Sequence, residues 1–247
     1  MKTCQIVSQE EWLKARLELL EKEKANSRAR DELTRDRMSM PWVKVEKPYS
    51  FQSAAGTESL SDLFGDKTQL IVHHFMFDPD WEEGCKSCSF SADHYDRSAI
   101  HIAHRDVALV AVSIAPWQKL DAYRQRMGWT FKWVSSAGTV FNRDFHVSFT
   151  DEEISNNQVC YNYKSGRSFV AREAPGFSVF AKDDADQVFH TYSCYGRGLE
   201  NTIGAYNYLD LVPKGRDEDG LAYGMEWLRH RDRYDDDSFI DPYADKV

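Results

Sequence analysis

"DWEEGCKSCSF", residues 80–90, is the stretch from which the rest of this chain is best read. Cys85 and Cys88 stand two residues apart, after the apolar run "TQLIVHHFMF" (68–77) and before a segment of helical spacing, 89–105. The run is continuous, aromatic and β-branched, the mark of a strand buried on both faces. A cysteine pair that opens a helix has a specific chemistry. The first thiol falls at the helix N-terminus, where free N–H groups and the dipole favour an anion, so it becomes a nucleophile near neutral pH. The second sits one turn on, within reach of a disulfide. Gly84 is expected to admit a sharp turn into the helix, Lys86 to help the Cys85 thiolate, and Glu82 and Glu83 to oppose it.

The elements around the pair alternate. "DVALVAVSIA" (106–115) is a second buried strand, and a helix follows with Pro116 near its start and Gly128 at its end. "TFKWVSS" is a short strand, "NRDFHVSFT" a turn or short helix, and "GFSVFAKDDADQVFHTYS" (176–193) a β-hairpin around an Asp-rich turn. "RGLENTIGAYNYLDLV" reads as a final helix. Upstream, "YSFQSAAGTESLSDLFG" reads as a hairpin and a helical turn with Leu60, Leu63 and Phe64 inward. Strands alternating with helices make an α/β fold, whose ligands gather at the carboxyl ends of the strands. That is where Cys85 lies.

The N-terminal 45 residues read as a helical extension: Ser8 and Glu11 form a capping box, and Trp12, Leu13, Leu17 and Leu20 make a narrow stripe. It suits a solvated helix or a dimerisation arm, hence a possible homodimer. Residues 46–228 form the domain, and the charged stretch 229–247 is expected to fray.

The chain has 247 residues, a formal net charge of -9 and 29% charged residues. That balance argues against nucleic acid and anionic membrane surfaces, which both want a positive face. The N-terminus lacks an apolar signal region, and no apolar run approaches the ~20 residues of a membrane span. A cytoplasmic protein is expected. Five cysteines, loosely scattered, do not look like a disulfide framework. Cys160 and Cys194 lack a recognisable partner spacing, and Cys194, near the hairpin end, reads as structural rather than as part of the site.

A zinc site competes for the pair. His101 and His104 complete C-x2-C-x12-H-x2-H, one residue short of finger spacing, but the motif follows a core strand rather than forming a free minidomain. His73 and His74 alternate to opposite faces of their strand. One of them is a candidate proton acceptor near Cys85, against a commoner role as a core histidine. Asp78 and Asp80 flank Pro79 and are expected to shape the loop. No phosphate-binding glycine loop is present, so no organic cofactor is implied.

The apolar strand, Trp81, "GCKSC" and the following helix resemble the thioredoxin superfamily. "APGFSVF" with "QVFHTY" looks like that fold's closing hairpin, and the intervening elements resemble its peroxiredoxin-like branch. From about residue 5 to 235 the chain is similar to a bacterial family (the domain of unknown function 899 group) described as predicted dithiol-disulfide oxidoreductases. The resemblance implies a thioredoxin-like central mixed sheet flanked by helices. It also implies a catalytic pair, Cys85 as nucleophile and Cys88 as resolving thiol, with a cis Pro175 beside them and Trp81 on the substrate-docking surface. The substrate would be a protein or small-molecule disulfide, with electrons from a cellular thiol reductant. The sequence departs from the peroxiredoxin signature Pro-x-x-x-Thr-x-x-Cys, since Glu82 stands where the threonine would be. Peroxide reduction therefore ranks behind disulfide exchange, beside a partner-binding module that does not turn over.

Overall fold

The structure, a computed structural model, describes residues 4–167 and 171–235. The chain divides into two units, Met1–Trp42 and Val43–Val247. The first is essentially helix α1, Gln9–Met38, closed at its start by the reciprocal Ser8–Glu11 capping box and carrying Arg35 and Arg37 in its last turn. Both ends thus complement the helix dipole.

The second unit follows in the order β1 (Val43–Lys44), β2 (Ser50–Ser53), β3 (Gly56–Ser59), β4 (Gln69–His74), α2 (Lys86–Ala103), β5 (Val107–Ser113), α3 (Trp117–Arg126), β6 (Lys132–Ser135), α4 (Phe141–Asp144), α5 (Asp151–Ser155), β7 (Val159–Tyr161), β8 (Lys164–Arg167), β9 (Gly176–Lys182), β10 (Val188–Tyr195) and α6 (Gly204–Leu209). One sheet runs β1-β10-β9-β4-β5-β6-β2-β3, and β7 and β8 pair separately. The strands β4, β5 and β6 are parallel, joined by α2 and α3, while β9 closes antiparallel on the other edge of β4. This is a thioredoxin-like sheet, and its three parallel strands follow one another in the chain.

The pleat of β4 sorts its side chains. Leu70, Val72 and His74 face a core with Phe51, Leu63, Phe64, Val134, Phe141 and Phe180. Ile71, His73 and the following Phe75 face the opposite core, under α2 and α3, with Tyr123, Trp129 and Trp133. A strand covered on both faces needs apolar residues at nearly every position, as the 68–77 run has. The turn at Asp62–Phe64 buries Leu60, Leu63 and Phe64 as expected.

Two segments differ from the sequence expectation. "RGLENTIGAYNYLDLV" is not one helix: a 3-10 stretch over Gly196–Thr202 breaks at Ile203, which is extended (φ -99°, ψ 93°), before the short α6. Two glycines, Gly198 and Gly204, weaken the helix, and Leu199, Ile203 and Tyr206 are held by burial rather than by helical spacing. Nor does the chain fray from 229. Leu228 and His230 are buried, and Arg126 binds Asp232 at 2.7 and 3.0 Å. Residues 236–247 lie outside the described residues.

Phe180 is fully buried and meets the rings of Phe145 and His190 at 5.3 and 5.5 Å. Phe180→Ala is expected to cost about 3–5 kcal/mol in urea unfolding, without changing the thiol chemistry of the folded protein, because it lies on the face away from Cys85.

Candidate active site: a buried dithiol under a cavity

The chain leaves β4 still paired. Phe75 N–H donates to Val112 O at 3.0 Å, and Ala115 N–H to Phe77 O at 3.0 Å. Asp78 then turns it, accepting Asp80 N–H on its carboxylate at 2.9 Å and Trp81 N–H on its carbonyl at 3.1 Å. This is the loop-shaping role expected of Asp78. The returning chain meets Met76 again: its carbonyl accepts Cys85 N–H at 3.1 Å, and its own N–H donates to Cys88 Sγ at 3.5 Å. Cys85 caps α2, and its carbonyl accepts from both Ser89 N–H and Ser89 Oγ at 2.9 Å.

Gly84 serves close packing rather than a special backbone angle. A Cβ there would lie 2.8 Å from a Phe75 ring carbon and 2.9 Å from one of Tyr123. Its carbonyl accepts from His230 Nε2 at 2.8 Å. Glu83, one residue earlier, binds His230 at 3.1 Å, Arg233 at 3.2 Å and Arg126. The C-terminal stretch thus clamps the loop that carries the dithiol, an arrangement that no local sequence pattern announces. Lys86 has partners beyond the dithiol. It is buried, donates to Glu226 O at 3.2 Å and lies 5.4 Å over the Tyr223 ring.

Cys85 is 6% exposed and Cys88 2%. Burial pushes the Cys88 thiol well above its ordinary range, and the hydrogen bond and charge of Cys85 push it the same way. The pair is therefore asymmetric: Cys88 holds its proton and shares it with Cys85, whose place at a helix N-terminus favours the anion. Glu173 opposes ionisation of Cys88 once it is itself ionised. That carboxyl is itself buried, which raises it to about 8 despite bonds from Ser148 and from Asn142 Nδ2, the latter at 3.2 Å.

Above the thiols lies a cavity of about 970 Å³, lined by His73, Met76, Cys85, Cys88, Pro175 and much of residues 196–225. Cys85, Cys88 and Pro175 are thus brought together. Pro175 is trans, since no described peptide bond is cis, which corrects the cis expectation. The chain enters β9 already held extended, by the Ser148–Glu173 bridge and the Ala174 N–H to Val147 O bond at 2.9 Å. Trp81 is half-buried against the α2–α3 core and is not among the cavity residues.

His73 and His74 do point apart. His74 Nε2 bonds Ser178 Oγ at 2.7 Å, and His73 Nδ1 bonds Tyr95 Oη at 3.0 Å. Burial lowers both to about 3. The zinc reading fails on geometry. His101 and His104 lie exposed at the far end of α2, roughly 20 Å of helix from Cys88 at ~1.5 Å per residue. Among the described residues no group of three or more His, Cys, Asp or Glu side chains is placed to hold a metal. No described helix is long and apolar enough to cross a membrane.

Residues 1–234 match the family described as "Bacterial protein of unknown function (DUF899)". The chain belongs to that family. No curated protein matches it. Among solved structures, a PrxQ mutant of Xylella fastidiosa is similar at 11% identity and a TM-score of 0.43, over 68% of this chain and 96% of that one. Peroxidoxin BcpB of Mycobacterium tuberculosis is similar at 14% and 0.42, over 67% and 96%. Peroxiredoxin Q of Xanthomonas campestris is similar at 13% and 0.40, over 65% and 89%. At such identities these likenesses say nothing of what this chain acts on.

Gly84→Ala is expected to destabilise the protein by about 1–3 kcal/mol, read by urea unfolding, and to make Cys85 more accessible to alkylation. Glu173 binds its proton more tightly folded than unfolded, so its contribution is complete below about pH 4.5 and is lost as pH rises towards about 8. Glu173→Gln removes that loss. From pH 5 to 8 the variant should gain on the parent by roughly 1.4 kcal/mol per pH unit. Parallel stability curves for the two proteins would refute the assignment.

Proposed function

We propose that the protein is a thiol–disulfide oxidoreductase. The observation that carries this reading is the asymmetric buried pair, one thiol at a helix N-terminus and the other held protonated beside it, opening on a cavity. The Cys85 thiolate attacks one sulfur of a substrate disulfide, and the other sulfur leaves as a thiolate. Cys88 then attacks Cys85 of the mixed disulfide. Its proton passes to the second departing thiol, and the Cys85–Cys88 bridge remains. Two electrons have moved from the protein to the substrate, and a cellular thiol reductant returns them.

Because burial raises the Cys88 thiol, the second step is expected to quicken as pH rises. Trp81 packs against the α2–α3 core, and Pro175 borders the bound substrate.

A redox titration read by alkylation and intact mass tests this. Cys85 and Cys88 should interconvert as one two-electron couple, within roughly -270 to -120 mV. Cys85→Ser should abolish exchange, and Cys88→Ser should trap a mixed disulfide on Cys85. A pair that stays reduced over that range would sink the proposal. Oxidation by peroxide far faster than by any disulfide would reassign the protein as a peroxide reductase.

A further inference from the structure

The cavity over the dithiol has a buried floor and an exposed rim. Cys85 and Cys88 lie in the floor, and Arg197, Asp210, Lys214, Asp217 and Asp219 stand exposed around it. A disulfide passes that rim before it meets Cys85, so the charge carried there acts on any substrate.

Five carboxylates and three cations line the cavity. Both arginines are already occupied. Arg216 binds Glu200 and Asp210, each at 2.9 Å, and Arg197 binds Glu200 at 2.9 Å. Those four side chains cancel in charge. Glu218 takes three donors, all neutral: Trp227 Nε1 at 2.7 Å, Tyr206 Oη at 3.0 Å and Met225 N–H at 3.2 Å. The side chains of Lys214, Asp217 and Asp219 have no hydrogen bond or ion pair among the described residues. Three carboxylates therefore stand against one lysine. Asp217 and Asp219 are also held in place, because Arg216 and Glu218 anchor the turn that carries them. Asp217 takes a left-handed backbone angle, φ 55°, which Asp and Asn adopt more readily than most residues.

We infer that the substrate is a cationic disulfide, selected at the rim by Asp217 and Asp219. The inference rests on the thiol–disulfide reading above and names the class of its substrate. Electrons and atoms balance as there: the dithiol is oxidised to its bridge, and the cationic disulfide is reduced to two thiols. The net charge of -9 pulls in the same direction at long range. The rim carboxylates act at close quarters, within a Debye length of about 10 Å at ~0.1 M salt. A diamine disulfide has this chemistry, and so does a cystine flanked by Lys or Arg in a polypeptide.

The test uses small disulfides that differ chiefly in charge: cystamine, positive; hydroxyethyl disulfide, neutral; and dithiodipropionate, negative. Each oxidises the pre-reduced full-length protein, followed by alkylation and intact mass. Each rate is divided by that of the same disulfide with dithiothreitol, which removes its intrinsic reactivity. At low salt the normalised rates should fall in that order, roughly tenfold from cystamine to the neutral disulfide, and converge at ~1 M salt. The Asp217→Asn, Asp219→Asn protein should lose most of this preference. Both positions are exposed, so the fold is kept. The Glu152→Gln, Asp184→Asn protein loses the same charge at exposed positions outside the cavity and should keep the preference. Equal normalised rates, or a faster anionic disulfide, would overturn the inference. A preference that survives Asp217→Asn, Asp219→Asn, or that the control variant loses to the same extent, would overturn the role of the rim. Disulfide-linked dimers of Lys-Cys-Lys and of Glu-Cys-Glu peptides separate the two sources. A preference for the Lys-Cys-Lys dimer as large as that for cystamine assigns a basic polypeptide, and its absence assigns a small diamine disulfide. If no disulfide of any charge oxidises the folded protein, the redox reading itself fails.

Discussion

Met76 holds the dithiol with both of its backbone groups, its carbonyl on Cys85 N–H and its N–H on Cys88 Sγ. The rest of the site depends on that clasp. It fixes where α2 begins, and so which thiol meets the helix N-terminus and which is turned inward. It works because Phe75 and Phe77 continue the pairing of β4 past its last residue, so Met76 is as rigid as the sheet. The aromatic packing of Phe75 and Tyr123 against Gly84 leaves no room for the loop to shift.

Burial then sets the protonation of the whole site. Cys88 and Glu173 are pushed up, and His73 is pushed down. In each case the neutral form is the one favoured out of water. Cys85 differs from them in position: it caps α2, at the positive end of a helix dipole. The surrounding charges are kept outside this zone. Glu83, Arg126, Arg233 and Asp232 neutralise one another on the outer side of the loop, and Arg216 is spent on Glu200 and Asp210.

Much of this was legible in local sequence. The 68–77 run announced a strand buried on both faces, and the cysteine spacing announced a pair at a helix start. Ser8 with Glu11 announced a cap, and the Asp-rich turn a hairpin. These signals are local: periodicity, capping and turn chemistry act within a few residues. The errors were equally physical. Pro175 reads as cis from the resemblance to the thioredoxin fold, but the peptide bond is trans. His101 and His104 read as ligands only while the rigidity of α2 is ignored. The segment after Gly196 has helical composition, yet burial of Leu199, Ile203 and Tyr206 overrides propensity.

By itself, then, the sequence determined the alternation of strands and helices, the central strand and the dithiol at its end, because each is written within a window shorter than one element. Tertiary structure alone decided that residues 196–225 cover the thiols, that residues 228–233 clamp the loop before them, and that Glu173 and His73 stand near Cys88 and the cavity. Those relations join residues up to 150 positions apart. They arise from sheet order and burial, which no local pattern encodes.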